Sequence, residues 1–167
     1  MRKKVFVIVV AVLMLFAFAG CSKVVETVRQ VMSGDVNGEI GKSYSTQWFD
    51  FTVLAVDEES SYAGYEPAPG YRLIVVYISE TGAFDEPVPM GTYDFYMDAD
   101  TFYDYMWPLD PFDDAMMPLE FDLPKGVTVR YDMVYEIPEV APNLKLLYTE
   151  FDETDREGAT FTIKLDL

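Results

Sequence analysis

The chain has 167 residues, 29 of them acidic and 12 basic, giving a formal charge of −17; it has one cysteine and no histidine. That charge disfavours nucleic acid as a partner, because the phosphate backbone is gripped through Lys and Arg. The missing imidazole removes the commonest general base and the commonest ligand of zinc, copper and non-haem iron, along with every Ser-His or Cys-His arrangement. A single cysteine permits no internal disulfide, so stability has to come from an apolar core.

Residues 1–20 read as a secretory signal. Arg2, Lys3 and Lys4 precede an uninterrupted apolar run from Val5 to Gly20, the charged-then-apolar order of an export segment. As a helix the run would reach roughly 24 Å at about 1.5 Å per residue, short of a ~30 Å hydrocarbon core. It also lacks the polar positions of an amphipathic core helix. Its end, Phe18-Ala19-Gly20-Cys21, resembles the bacterial lipobox, with Phe18 in place of the usual leucine. That resemblance implies a diacylglyceryl group on the Cys21 thiol, cleavage before Cys21, and a mature N-terminus at that residue. Two acyl chains, at about 0.8 kcal/mol per buried methylene, hold a protein stably on a membrane. The expected location is therefore the extracellular side of the cell membrane, lipid-anchored, with the membrane as a partner through the anchor. Loss of Arg2, Lys3 and Lys4 leaves nine basic residues against 29 acidic ones, a formal charge of −20. Such a domain is repelled by anionic lipid within a Debye length, roughly 8 Å.

Residues 21–43 read as the lipidated cysteine and a linker. Val24, Val28, Val31 and Met32 have helical spacing, consistent with a short helix over 23–32, which either stands free or packs on the domain. The following "SGDVNGEIGKS" is rich in Gly, Asn, Asp and Ser and predicts a flexible connection.

From Tyr44 onward the period becomes two. Phe49, Phe51, Val53 and Ala55 alternate with Asp50 and Thr52, the mark of a half-buried strand. "RLIVVYI", Arg72 to Ile78, is apolar on both faces after its first residue and predicts a central strand. On one reading of the segment that begins at Thr92, Thr92 to Met97 is a further strand followed by a long solvated connection. Val127, Val129, Tyr131, Met133, Tyr135 and Ile137 alternate with Thr128, Arg130, Asp132 and Glu136, broken only by Val134; Phe161, Ile163 and Leu165 alternate with Thr160, Thr162 and Lys164. Turn signals separate these runs in "EPAPG", "FDEPVPMG", "DLPKG" and "EVAPN". The pattern predicts an all-β, immunoglobulin-like antiparallel β-sandwich over 44–167, a single domain with no internal repeat. Phe51, Val75, Val129 and Phe161 are expected to be buried together.

Three blocks, "GKSYSTQWFDFTVLAV", "GYEPAPGYRLIVVYISETGAFDEPVPMGTYDFYM" and "LPKGVTVRYDMVYEIPEVAPNLKLLY", resemble a domain of unassigned activity found in surface lipoproteins, chiefly of Gram-positive bacteria. The resemblance spans roughly residues 39–167 and implies the telokin-like, immunoprotective-extracellular type of immunoglobulin-like sandwich. It brings fold and location, and no catalytic motif.

The segment Thr92–Met117 departs from an ordinary sandwich sequence, with eight aromatic residues, seven aspartates and no basic residue. Three readings stay open for it. It is a solvated connection whose aromatics partly cover a sheet edge; or a binding surface for a protein or glycan, built on Tyr96, Phe102, Tyr103, Tyr105 and Trp107; or a calcium site at Asp98, Asp100 and Asp104. Counted as an EF-hand from Asp98, the loop has Tyr103 where Gly is needed and Leu109 where Glu is needed, so a calcium site here would be of the sandwich-loop kind. The chain is thus expected to be a binding module and not an enzyme. The alternatives are a structural envelope component without a dedicated ligand and a hydrolase built on paired carboxylates. A concave aromatic patch would favour binding; fully buried rings would favour the structural reading.

Overall fold

The structure is a computed structural model, which describes residues 34–100 and 104–167. The signal segment, Cys21 and the helix expected over 23–32 lie outside the described residues, as do Phe102 and Tyr103. Ten strands follow in chain order: β1 (Val36–Gly38), β2 (Ser43–Ser45), β3 (Phe49–Glu59), β4 (Tyr71–Gly82), β5 (Val88–Met90), β6 (Phe95–Asp98), β7 (Phe121–Leu123), β8 (Thr128–Pro138), β9 (Lys145–Phe151) and β10 (Glu157–Lys164). A single 3₁₀ turn, Thr92–Asp94, is the only helical element among the described residues, so none of these crosses a membrane as a helix. It replaces the first half of the strand expected over Thr92–Met97.

Two four-stranded sheets form the sandwich, with strand orders β1-β10-β9-β6 and β2-β3-β4-β8; β5 and β7 make a separate ribbon. All pairings are antiparallel except β1 with β10. The central position expected for residues 72–78 holds, since β4 lies between β3 and β8 along its whole length. The ordered domain begins earlier than residue 44. Val36–Gly38 pairs with Phe161–Ile163, so the end of the expected linker is recruited as an edge strand.

The main core lies between the sheets and is strongly aromatic. Phe49, Phe51, Phe95, Tyr148 and Phe161 are all buried, with ring centroids 5.1 to 6.4 Å apart, mostly edge-to-face or tilted, geometries that the ring quadrupole favours. Tyr135 spans the layers, its buried hydroxyl donating to the Phe95 carbonyl at 3.3 Å.

Three expectations about faces need correction. A register shift between Val53 and Ala55 places one extra residue in β3, which reverses the alternation; Ala55 is exposed and Val56 packs on the core instead. Val75 does not join Phe51 and Phe161. It is on the opposite face of β4, in a second small cluster with Leu73, Met116 and Val134. That cluster accounts for the break in alternation at Val134, because the face expected to be wet is roofed over. The β3–β4 loop lies on it, with the Tyr62 hydroxyl donating to Asp132 at 2.7 Å and the Tyr65 hydroxyl donating to Glu136. Phe51, Val129 and Phe161 do share the main core, Val129 at its half-buried margin.

Candidate functional site

Residues 104–117, after β6, close two sheet edges. At the first sheet, Met97 and Met106 exchange backbone hydrogen bonds of 2.8 Å in each direction. At the second, the Leu109 amide donates to the Val134 carbonyl at 2.7 Å, and the Met117 amide to the Asp132 carbonyl at 3.0 Å. Met116 and Met117 are buried. The segment is therefore a seal over β6 and β8, which would otherwise present unpaired backbone groups. Its aspartates Asp104, Asp110, Asp113 and Asp114 face water, as the solvated-connection reading expected, while its backbone covers both edges.

The same pairing aims the aromatic side chains. Since Met97 and Met106 are opposite each other, their neighbours Tyr96, Tyr105 and Trp107 fall on the other, outward face by the period of two. Tyr96 approaches Tyr105 to 4.6 Å and Trp107 to 5.4 Å between ring centroids, and Tyr93 from the 3₁₀ turn meets Trp107 at 6.1 Å. Gly91 makes the turn possible: a Cβ there would stand 2.1 Å from the Leu119 carbonyl oxygen. The Gly91 amide donates to Asp94 at 2.7 Å, and the Thr92 amide to the Pro118 carbonyl at 3.0 Å.

These rings form one side of a groove of about 710 Å³. Trp48 and Phe151 supply the other side, the Trp48 indole N–H donating to the Phe151 carbonyl at 2.8 Å. Both of the chain's tryptophans therefore line it. Tyr105 is 55%, Trp107 50% and Tyr93 48% exposed, so their ring faces are open to a ligand. Of the five residues expected to make a binding surface, Tyr96, Tyr105 and Trp107 come together here, and Phe102 and Tyr103 lie outside the described residues. Reading the segment alone missed Trp48, Phe151 and Glu157. A usable signal existed for Trp48, which is out of phase with Phe49, Phe51 and Val53.

Carboxylates accompany the rings. Asp94 and Glu157 line the groove, whose wall includes no Lys or Arg, and Tyr93 donates its hydroxyl to Asp110. That bond holds the Tyr93 phenol above its ordinary pKa. Burial raises Asp94, against the lowering effect of the Gly91 amide. Close to Asp94, inside the core, is Glu80, 1% exposed, with neither carboxyl oxygen hydrogen-bonded. Burial, helped by the Asp94 charge, pushes Glu80 up to about 8. Glu80 does not line the groove. The two carboxyls therefore do not form an open pair of the kind a hydrolase would use.

The calcium triad does not assemble. Lys145, the cross-strand partner of Asp98, places its Nζ 3.7 Å from Asp98 and in contact with Asp100, which also accepts from Asn143 Nδ2 at 2.9 Å. An ammonium thus stands where a cation shared by Asp98 and Asp100 would sit. Among the described residues, no group of three or more His, Cys, Asp or Glu could hold a metal ion.

No family model matches the chain, and no curated protein matches it. Solved structures do resemble it. A candidate lipoprotein of Bacillus subtilis superposes with TM-score 0.56 at 15% identity, over 73% of this chain and 38% of that one. This chain thus spans well under half the length of that protein. MPT63, a secreted protein of Mycobacterium tuberculosis, gives 0.56 at 10% identity over 76% and 96%. An uncharacterized β-sandwich protein of Clostridium difficile gives 0.54 at 12% identity over 83% and 99%. At these identities the likeness is one of fold: the chain is a β-sandwich, with a lipoprotein candidate and a secreted protein among its structural neighbours, and they point to no catalytic family.

Proposed function

We propose that this chain is a lipid-anchored extracellular binding module of the telokin-like, immunoglobulin-like sandwich type, with the aromatic groove as its contact surface. The observation that carries the reading is the gathering of Tyr93, Tyr105 and Trp107, each about half exposed, around one concavity. Large apolar rings left open in a cluster are costly in water, and they are the residues that dominate binding hot spots. The basic flank, short apolar run and lipobox-like end at Cys21 support the anchor, and the secreted and lipoprotein-like neighbours agree with an exported domain. The structural-component alternative expected all the rings to be buried, whereas Tyr93, Tyr105 and Trp107 are each about half exposed.

Both tryptophans report on the groove, so its occupancy can be read as intrinsic fluorescence. Full-length protein in a non-ionic detergent, titrated with surface glycans and with peptide pools, should show a saturable change with at least one ligand. Trp107→Ala and Tyr105→Ala should abolish binding with little change in melting temperature. Binding by both variants at wild-type affinity would remove the groove from the function.

A further inference from the structure

We infer that the groove, taken as the contact surface proposed above, selects an organic ammonium cation. The rings come first. Tyr96, Tyr105 and Trp107 form a contiguous strip with centroids 4.6 and 5.4 Å apart, and Tyr93 extends it. The face of such a ring is the negative end of its quadrupole and attracts a cation within about 6 Å, most strongly for indole. Tyr93 donates its hydroxyl to Asp110, which shifts electron density onto its ring and favours a cation further.

Charge argues the same way. Asp94 and Glu157 line the groove without a Lys or Arg among the lining residues. Between residues 73 and 124 the chain carries twelve acidic residues and no basic one. An anionic ligand would meet repulsion from these carboxylates with no cation in the wall to offset it.

Hydrogen bonding separates an ammonium from a neutral sugar. A sugar is oriented by directional donors and acceptors, and two of the groove's donors are already engaged: Tyr93 to Asp110, and Trp48 Nε1 to the Phe151 carbonyl at 2.8 Å; the Tyr96 hydroxyl shares a 2.7 Å hydrogen bond with Thr149 Oγ1. Open ring face and carboxylate on the same wall suit an alkylated ammonium whose surface is C–H. A compact metal ion needs clustered oxygens, and no such group of three or more exists among the described residues.

The test uses full-length protein in a non-ionic detergent, intrinsic fluorescence, and three probes: choline, its uncharged isostere 3,3-dimethylbutan-1-ol, and sodium chloride at matched ionic strength. Choline should give a saturable change, with the isostere about tenfold weaker or worse, as loss of a cation–π contact implies, and with sodium chloride inert. Tyr105→Ala, which keeps both tryptophan reporters, should abolish the response. Glu157→Gln should weaken choline by several fold without moving the melting temperature. If the isostere binds as tightly as choline, the ammonium inference falls while the groove remains a contact surface. If neither produces a saturable change, the ammonium inference falls as well, and the glycan and peptide titrations decide the groove independently.

Discussion

Glu80→Gln tests the interior electrostatics directly. Glu80 is on the core face of β4, opposite Phe51 on β3 and Val129 on β8, and neither carboxyl oxygen finds a hydrogen-bond partner. Burial is the main cause of its displacement from 4.5 to about 8, and the nearby Asp94 charge adds to it. Because the folded state keeps this proton while the unfolded chain releases it, Glu80's own contribution to stability is most favourable below pH 4.5. It falls as pH rises towards 8, then levels off. At about 1.4 kcal/mol per pKa unit the full loss is on the order of 5 kcal/mol, with about 3 kcal/mol already lost at pH 7. Glutamine has nearly the same shape and cannot ionise, so the variant should match wild type near pH 5 and exceed it by a few kcal/mol at pH 8.5. Urea unfolding followed by tryptophan fluorescence at pH 5, 7 and 8.5 measures the difference, and the other acidic residues cancel in the comparison. Parallel stability curves for the two proteins would refute the argument, since they would mean that Glu80 keeps an ordinary pKa in the fold.

Other outcomes follow from the same structure. Phe161→Ala, which empties a site walled by Tyr44, Phe51 and Tyr148, should cost about 3 to 5 kcal/mol in urea titrations, and Thr162→Ala on the other face far less. Gly91→Ala should destabilise the fold and lower ligand binding together, because the new methyl collides with the Leu119 carbonyl and displaces the turn that carries Tyr93; a melting temperature equal to wild type would contradict this. Millimolar calcium should raise the melting temperature no more than sodium chloride at the same ionic strength, given Lys145 between Asp98 and Asp100. Cys21→Ala should shift the protein from the membrane to the soluble fraction or leave it unprocessed, and mass spectrometry should find two acyl chains on wild-type Cys21.

Strand identity was written locally. Alternation at Phe49–Val53, Val129–Ile137 and Phe161–Leu165, and the doubly apolar run at 72–78, each follow from which face of a pleated strand meets the core, and that information is carried within a few residues. Absences were equally local: a chain without histidine and with one cysteine cannot build imidazole or disulfide chemistry in any fold. What the chain could not reveal residue by residue depended on distant partners. The bulge at Leu54 reverses a face only because β4 fixes the register on the other side. Val75 and Val134 are buried on a face that would be wet in an isolated strand, and the roof that covers them comes from residues 62–65 and 109–116. Asp98 and Asp100 resemble cation ligands until β9 delivers Lys145 between them. Tyr96, Tyr105 and Trp107 could be picked out by composition, but their direction was set when Met106 paired with Met97, and the groove was completed by Trp48, from the β2–β3 connection, and Phe151, from β9. Period and composition report how each segment prefers to meet water; a concave surface is made by segments far apart in sequence, whose meeting is fixed by the packing of the whole sandwich.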